Sequence, residues 1–321
     1  MRKRLTSVLI GGLVLAGFGA MGPAQAALTT HCDGSAEGVT VPGDLVVPAG
    51  KACSLADTTV TGNVRVAAGA DLVGNGLTVN GNVNVQADAY LDLVDSTVDG
   101  NVVNRGAFGV YLDYTEVNAY NGNPNVNPES FLWTYESSFA GRVAATGGSV
   151  LLESSDVNRV VQATDTQYID IIDTVVGGAL TVTGAEFGAM VCGSEVDGHA
   201  TFADNGVGVQ LGAGGALAAC DNGTSVWGGN VLVSGTTGAA QVSDNIIRGN
   251  LSGTGNESAA QSDNRVRGDI LGQFAEETQQ RAMRMQLEAQ PNAERNALDE
   301  LRSERLGTAE ELVEIAGPAN L

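Results

Sequence analysis

Gly62-Asn63-Val64-Arg65-Val66, Gly81-Asn82-Val83-Asn84-Val85 and Gly100-Asn101-Val102-Val103-Asn104 begin 19 residues apart. The same step leads back to Gly43-Asp44-Leu45-Val46-Val47. With slippage the phrase returns at Gly141, Asn158, Gly178, Gly198, Gly229, Gly249 and Gly268, and a rung starting near Gly122 fills the remaining gap. A fixed period of this length is the mark of a solenoid, in which each unit buries its apolar face against the next. Within a unit, short alternating runs such as Val64-x-Val66 and Leu91-x-Leu93 are divided by Asn80-Gly81 and Asp99-Gly100 turns. Alternation with period 2 means strands, and strands this short satisfy their backbone groups only by pairing from one coil to the next.

The sequence therefore predicts an all-β solenoid: a right-handed parallel β-helix of about 11 rungs with a 19–20-residue repeat, spanning 43–272. Three columns should point inward. The third rung position reads Leu45, Val64, Val83, Val102, Val143, Val160, Leu180, Val231, Leu251 and Ile270. The eleventh reads Cys53, Leu72, Leu91, Val110, Leu132 and Leu151, and the eighteenth Val60, Val79, Val98 and Val117. Asn63, Asn82, Asn101, Asn230 and Asn250 fill the second position, where stacked amides cap backbone groups. On these phrases the chain resembles the secreted right-handed parallel β-helix proteins, and Gly-Asn-Val and Gly-Asp-Ile are similar to the repeats of bactofilins, here with an export signal. The resemblance implies fold, and function only weakly.

Outside the coil, residues 1–26 read as a signal peptide. Arg2-Lys3-Arg4 precede a short apolar core, and Ala24-Gln25-Ala26 supply the cleavage pattern, leaving Ala27 as the mature start. Residues 27–42 are expected to form an N-terminal cap. After Leu271 glycine and valine give way to Glu, Gln, Arg and Ala, so 273–321 reads as a helical tail. Its helices are expected at Phe274–Gln290, at Asn292–Leu306, and from Thr308 to Gly317-Pro318 through a Thr308/Glu311 capping box. The tail either packs on the last rung and shields its open edge or is a flexible or self-associating extension.

Four cysteines, in an exported chain without C-x-x-C spacings, predict the disulfides Cys32–Cys53 and Cys192–Cys220 rather than a metal site. No cofactor is expected. The net charge is −21, and without the three leading basic residues 13 basic residues face 37 acidic ones. Such a chain repels phosphate backbones and anionic lipid, which excludes nucleic acid and membrane surfaces as favoured partners. No later stretch is apolar enough to span a bilayer, so the expected location is extracellular or in the cell envelope.

Chemistry is sparse. The only histidines, His31 and His199, lie far apart, and the signatures of metalloproteases, serine hydrolases and P-loops are missing. The informative departure is a run of aromatics: Phe108, Tyr111, Tyr114, Tyr120, Phe131, Trp133, Tyr135 and Phe139. Tyr111 and Trp133 share one rung position and Tyr90 and Phe131 another, both flanking an inward column, so they should face outward. Either Tyr111, Tyr114, Trp133 and Tyr135 form a stacking surface for sugar rings, or the Ala119–Pro128 loop folds over them as packing. Glu153 and Asp170 are read as outward carboxylates at one rung position on adjacent rungs, weak candidates for an acid/base pair. The expected function is a secreted, non-enzymatic structural or adhesive envelope protein contacting polysaccharide through the aromatic face. The alternative is a polysaccharide lyase or glycoside hydrolase of the β-helix type.

Overall fold

A computed structural model describes residues 28–123, 127, 129–215, 217, 220, 223–275 and 291–321, with 291–296 as backbone only. Residues 1–26, expected to be a signal peptide, and the segment 276–290 lie outside the described residues. The chain coils as a parallel β-solenoid of about 12 turns. At a strand spacing of about 4.8 Å, the rod is roughly 55 Å long.

Each turn has three faces. The first carries strands such as Val64–Val66 and Val83–Val85, the wide face strands such as Tyr90–Val94, and the narrow face two-residue strands such as Thr78–Val79. Twelve strands stack on the wide face. Eleven rungs were expected from Gly43 onward; the additional turn comes from residues 28–42. There Thr29–His31, Gly34–Glu37 and Thr40–Val41 pair in register with Asp44–Val47, Ala52–Ala56 and Thr59–Val60.

The core columns follow the alternation. Leu45, Val64, Val83 and Val102 stack, as do Val41, Val60, Val79, Val98 and Val117. Two assignments shift by one residue. Val161, not Val160, continues the first column, and Val150, not Leu151, continues the wide-face column. In both places two apolar residues adjoin, so alternation alone leaves the phase open. Tyr120, expected in a loop, belongs to the strand Glu116–Gly122 and fills the first column between Val102 and Val143.

Polar ladders hold the corners. Asp44 Oδ1 accepts from the backbone N–H of Asn63, Asn63 Oδ1 from Asn82, and Asn82 Oδ1 from Asn101. Further along, His199 Nδ1 accepts from Asn230 N–H at 2.9 Å, taking the place of an asparagine. A second, buried ladder follows the wide face. Ser96 Oγ accepts from Leu77 N–H and donates to the Val94 carbonyl, and Ser137, Ser155, Thr174 and Ser194 repeat the accepting bond. The residues before Ser96, Thr115, Ser137, Ser155 and Thr174 turn the corner in the left-handed region: Asp95, Tyr114, Glu136, Ser154 and Asp173 have φ between 43° and 49°, and Gly193 does so before Ser194 at 61°. Such a φ is costly for a side chain with Cβ, and the hydroxyl bond that follows holds it.

At the far end Gln273–Ala275 forms a single 3₁₀ turn, and Phe274 plugs the core. Among the described residues one helix, α1 (Pro291–Ala316), follows, joining the two expected at Asn292–Leu306 and from Thr308; of the helix expected at Phe274–Gln290, all beyond Ala275 lies outside the described residues. No break occurs at Gly307-Thr308, because Thr308 Oγ1 bonds back to the Glu304 carbonyl within the helix rather than capping a new one. The helix stops at Gly317, φ 73°, whose N–H meets the Val313 carbonyl. It runs back along the wide face toward the first turn, not over the last rung. Ser35 N–H donates to the Gly317 carbonyl, Ala319 N–H donates to the Ser35 carbonyl, and Ala319 and Leu321 pack against the core. The C-terminus thus closes the edge where the coil begins.

Candidate functional site

The outward side of the wide face is where the chain spends residues that a coil does not need. Tyr90, Asp92 and Val94 alternate outward along one strand while Leu91 and Leu93 point in. Register then stacks Val73, Asp92, Tyr111, Trp133 and Leu151 in one outward column. A neighbouring column holds Asp71, Tyr90, Gly109 and Phe131. Gly109 is required there, since a Cβ would lie 2.2 Å from the Phe131 ring. Tyr90, Phe131, Trp133 and Leu151 form a second apolar cluster, bordered by Phe108, Tyr111, Tyr135, Ile172 and, from α1, Leu298 and Leu306. Phe131 and Trp133 lie 4.8 Å apart by ring centroid, and Phe108 meets Phe131 edge-on at 5.6 Å.

The rings point outward, as the rung positions require, but they are covered. Trp133 is only 3% exposed. What covers the cluster is α1, an occupant the sequence did not suggest; the cover it offered, as the alternative to an open stacking surface, was the Ala119–Pro128 segment. Tyr111 and Tyr135 are half-buried. Tyr114 stands apart at a left-handed corner, 54% exposed. Tyr120 and Phe139 face into the coil instead.

Two arginines of α1 seal the cover. Arg302 Nη2 lies 3.1 Å from Asp92 Oδ2, which also accepts the Tyr90 hydroxyl at 2.5 Å. The same guanidinium stacks 3.4 Å from the Tyr111 ring centroid. Arg305 Nε reaches Asp71 Oδ1 at 2.8 Å, its Nη2 donates to the Asp88 carbonyl, and Phe108 lies beneath it. Asp71 and Asp92 are both buried. Burial raises the Asp92 carboxyl above its ordinary range, against the opposing pull of the Tyr90 hydroxyl and Arg302. Burial likewise raises Asp71, opposed by Arg305. Burial and the Glu153 charge push the Tyr135 hydroxyl up to about 12. Two donors at this seat, Trp133 Nε1 and Arg302 Nε, have no hydrogen-bond partner among the described residues.

Glu153 and Asp170 are not brought together as read. Asp170 pairs in register with Leu151 and Met190, whereas Glu153 pairs with Tyr135 and Ile172, two positions further along the strand. Asp170 is 4% exposed. His31 is exposed, and no group of three or more metal-binding side chains occurs among the described residues. Beyond α1 a second cover lies over the wide face. Leu217 is buried, its N–H donates to Gln210 Oε1, and Cys220 is bonded to Cys192. Cys32–Cys53 pins the first turn. Both bridges suit an oxidising compartment, and no described helix is long and apolar enough to cross a membrane.

Fold and site together define a parallel β-solenoid clad by its own C-terminal helix. Comparison with protein-family models, curated proteins and solved structures finds no match for the chain.

Proposed function

We propose that this chain is an exported, non-enzymatic structural or adhesive protein of the cell envelope. The observation that carries the reading is the use made of the wide face: its buried carboxylates, Asp71 and Asp92, bond the arginines of α1. An acid/base pair working on a glycan needs two carboxylates open to one substrate at a fixed separation. Here Glu153 and Asp170 are out of register, so the polysaccharide lyase or hydrolase reading loses its motivating geometry. The asparagine and hydroxyl ladders, along the stretches where they run, favour a stiff rod, whose stability is a sum of nearest-neighbour stacking terms.

Adhesion to polysaccharide remains part of the proposal, with a revised division of labour among the rings. While α1 is seated, a sugar meets Tyr114 and the exposed edges of Tyr111 and Tyr135, and Trp133 supports them from beneath. Fractionation of expressing cells, followed by assay of the purified chain on acidic and neutral polysaccharides, tests the reading. Recovery in the envelope or medium, with no reducing ends or unsaturated products released, is expected; turnover of any polysaccharide overturns it. Within the adhesive reading, Tyr114→Ala should weaken retention on envelope polysaccharide without unfolding the protein, since its ring lies outside both clusters.

A further inference from the structure

We propose that the wide face is a receptor for α1 of a second copy as well as for its own, so that copies join by exchanging C-terminal helices. The proposal rests on the structural-protein reading above and names the partner of that same face. The seat is specified entirely by side chains that every copy carries. Leu298 and Leu306 meet the aromatic cluster, Arg302 meets Asp92 and Tyr111, and Arg305 meets Asp71. The closing bonds at Ser35 are backbone bonds to Gly317 and Ala319 and are equally indifferent to the donor chain. An element held by such contacts fits a neighbour as it fits its own coil, which makes exchange a low-cost route to dimers.

Reach permits it. Fifteen residues separate Ala275 from Pro291, and a chain of that length spans at most about 50 Å. The seat is also imperfect in a way that favours turnover. Trp133 Nε1 and Arg302 Nε are buried without partners among the described residues, and an unmet buried donor weakens the contact that buries it.

A second copy is favoured over an unrelated helix by what the single chain leaves uncovered. Ile315, in the last turn of α1, is 83% exposed, and at the same end of the rod Leu28 and Val39 of the first turn are exposed. Leu301 is exposed on the outer side of α1. Association of two copies at this end would remove from water an apolar surface that a lone chain leaves exposed.

Charge reversal tests the exchange. One variant carries Asp71→Lys with Asp92→Lys, the other Arg302→Glu with Arg305→Glu; each mismatches its own face and helix. Mixed in equal amounts, they match only in trans. Light scattering after size exclusion should then report a heterodimer of twice the chain mass. Elution of the mixture at single-chain mass would overturn the proposal. Should the face variant lose its β-sheet signal, the intact wild-type chain decides. A labelled peptide of residues 291–321 should bind it saturably, and the peptide with both arginines reversed at least about tenfold more weakly. No uptake of the wild-type peptide at hundredfold excess overturns the proposal. Neither arm uses a polysaccharide, so failure here is separable from failure of the adhesive reading.

Discussion

Val160 and Val161 stand side by side, yet Val160 is 39% exposed and Val161 is 1% exposed. Introducing aspartate at each isolates the effect of facing inward. Val161→Asp places a charge between Val143 and Leu180 with no partner and should cost several kcal/mol. Val160→Asp should shift the melting temperature by no more than a surface change does. Equal shifts would show that the phase of this rung is misassigned. Repeat spacing made most of the inward residues legible. It failed where two apolar residues adjoin, at Val160/Val161 and Val150/Leu151, because alternation has no phase there. His199 was legible in principle, since Gly198-His199-Ala200 aligns with Gly-Asn-Val and an imidazole nitrogen accepts as an amide oxygen does. Asp92 supplies a pH test. Its carboxyl holds a proton more tightly in the folded chain than in the unfolded one, so folding takes up protons there. Stability from this group therefore rises as pH falls through the raised value toward the ordinary carboxylate range. The melting temperature of wild type relative to Asp92→Asn should accordingly increase as the pH is lowered from neutrality toward the ordinary carboxylate range. A decrease would mean that Arg302 outweighs burial.

At the scale of the element, α1 is the part least readable in advance. Its leucines are few, and the arginines that define its address meet acids more than two hundred residues away. Nothing local to 291–316 signals that pairing. On the coil side the signal existed, since Tyr90, Asp92, Tyr111 and Trp133 are far larger and more polar than an outward strand position needs. Phase fixed their direction, but the cover came from the tail. The expected break at Gly307 has its own lesson. A threonine with glutamate three residues on caps a helix only when the backbone turns there, and in a continuing helix the hydroxyl bonds backward. Gly307 is thus an interior helical glycine, and a Cβ at that position would meet nothing within 4 Å. Gly307→Ala should stabilise α1 by about 0.5–1 kcal/mol. Slower amide exchange across 300–312, with the coil unchanged, is the expected readout. Faster exchange would indicate that the helix bends at this residue.

Across the whole molecule, the first turn is closed by two devices that act on the same rung. Cys32–Cys53 ties the start of the coil to the second turn, and Gly317–Leu321 adds an edge segment through Ser35. Solenoids need such closure because an open β-edge frays and templates association. The two devices should therefore be redundant while both are present and coupled when one is lost. Deleting Pro318–Leu321 removes the Ala319 bond to Ser35 and the packing of Ala319 and Leu321 on the core, while leaving the arginine seat intact. Alone, the deletion should raise amide exchange in 29–37 with little change in melting temperature, because the disulfide still fixes that turn. Reducing the disulfides in the intact chain should act similarly, with Ser35 still paired. Together they should release the first turn, lowering stability by more than the sum of the separate effects, since neighbouring devices on one rung are not additive. Aggregation in the doubly altered protein, abolished by adding back a peptide of residues 291–321, would locate the exposed edge at Ser35. Simple additivity would show instead that the disulfide and the tail stabilise separate parts of the rod.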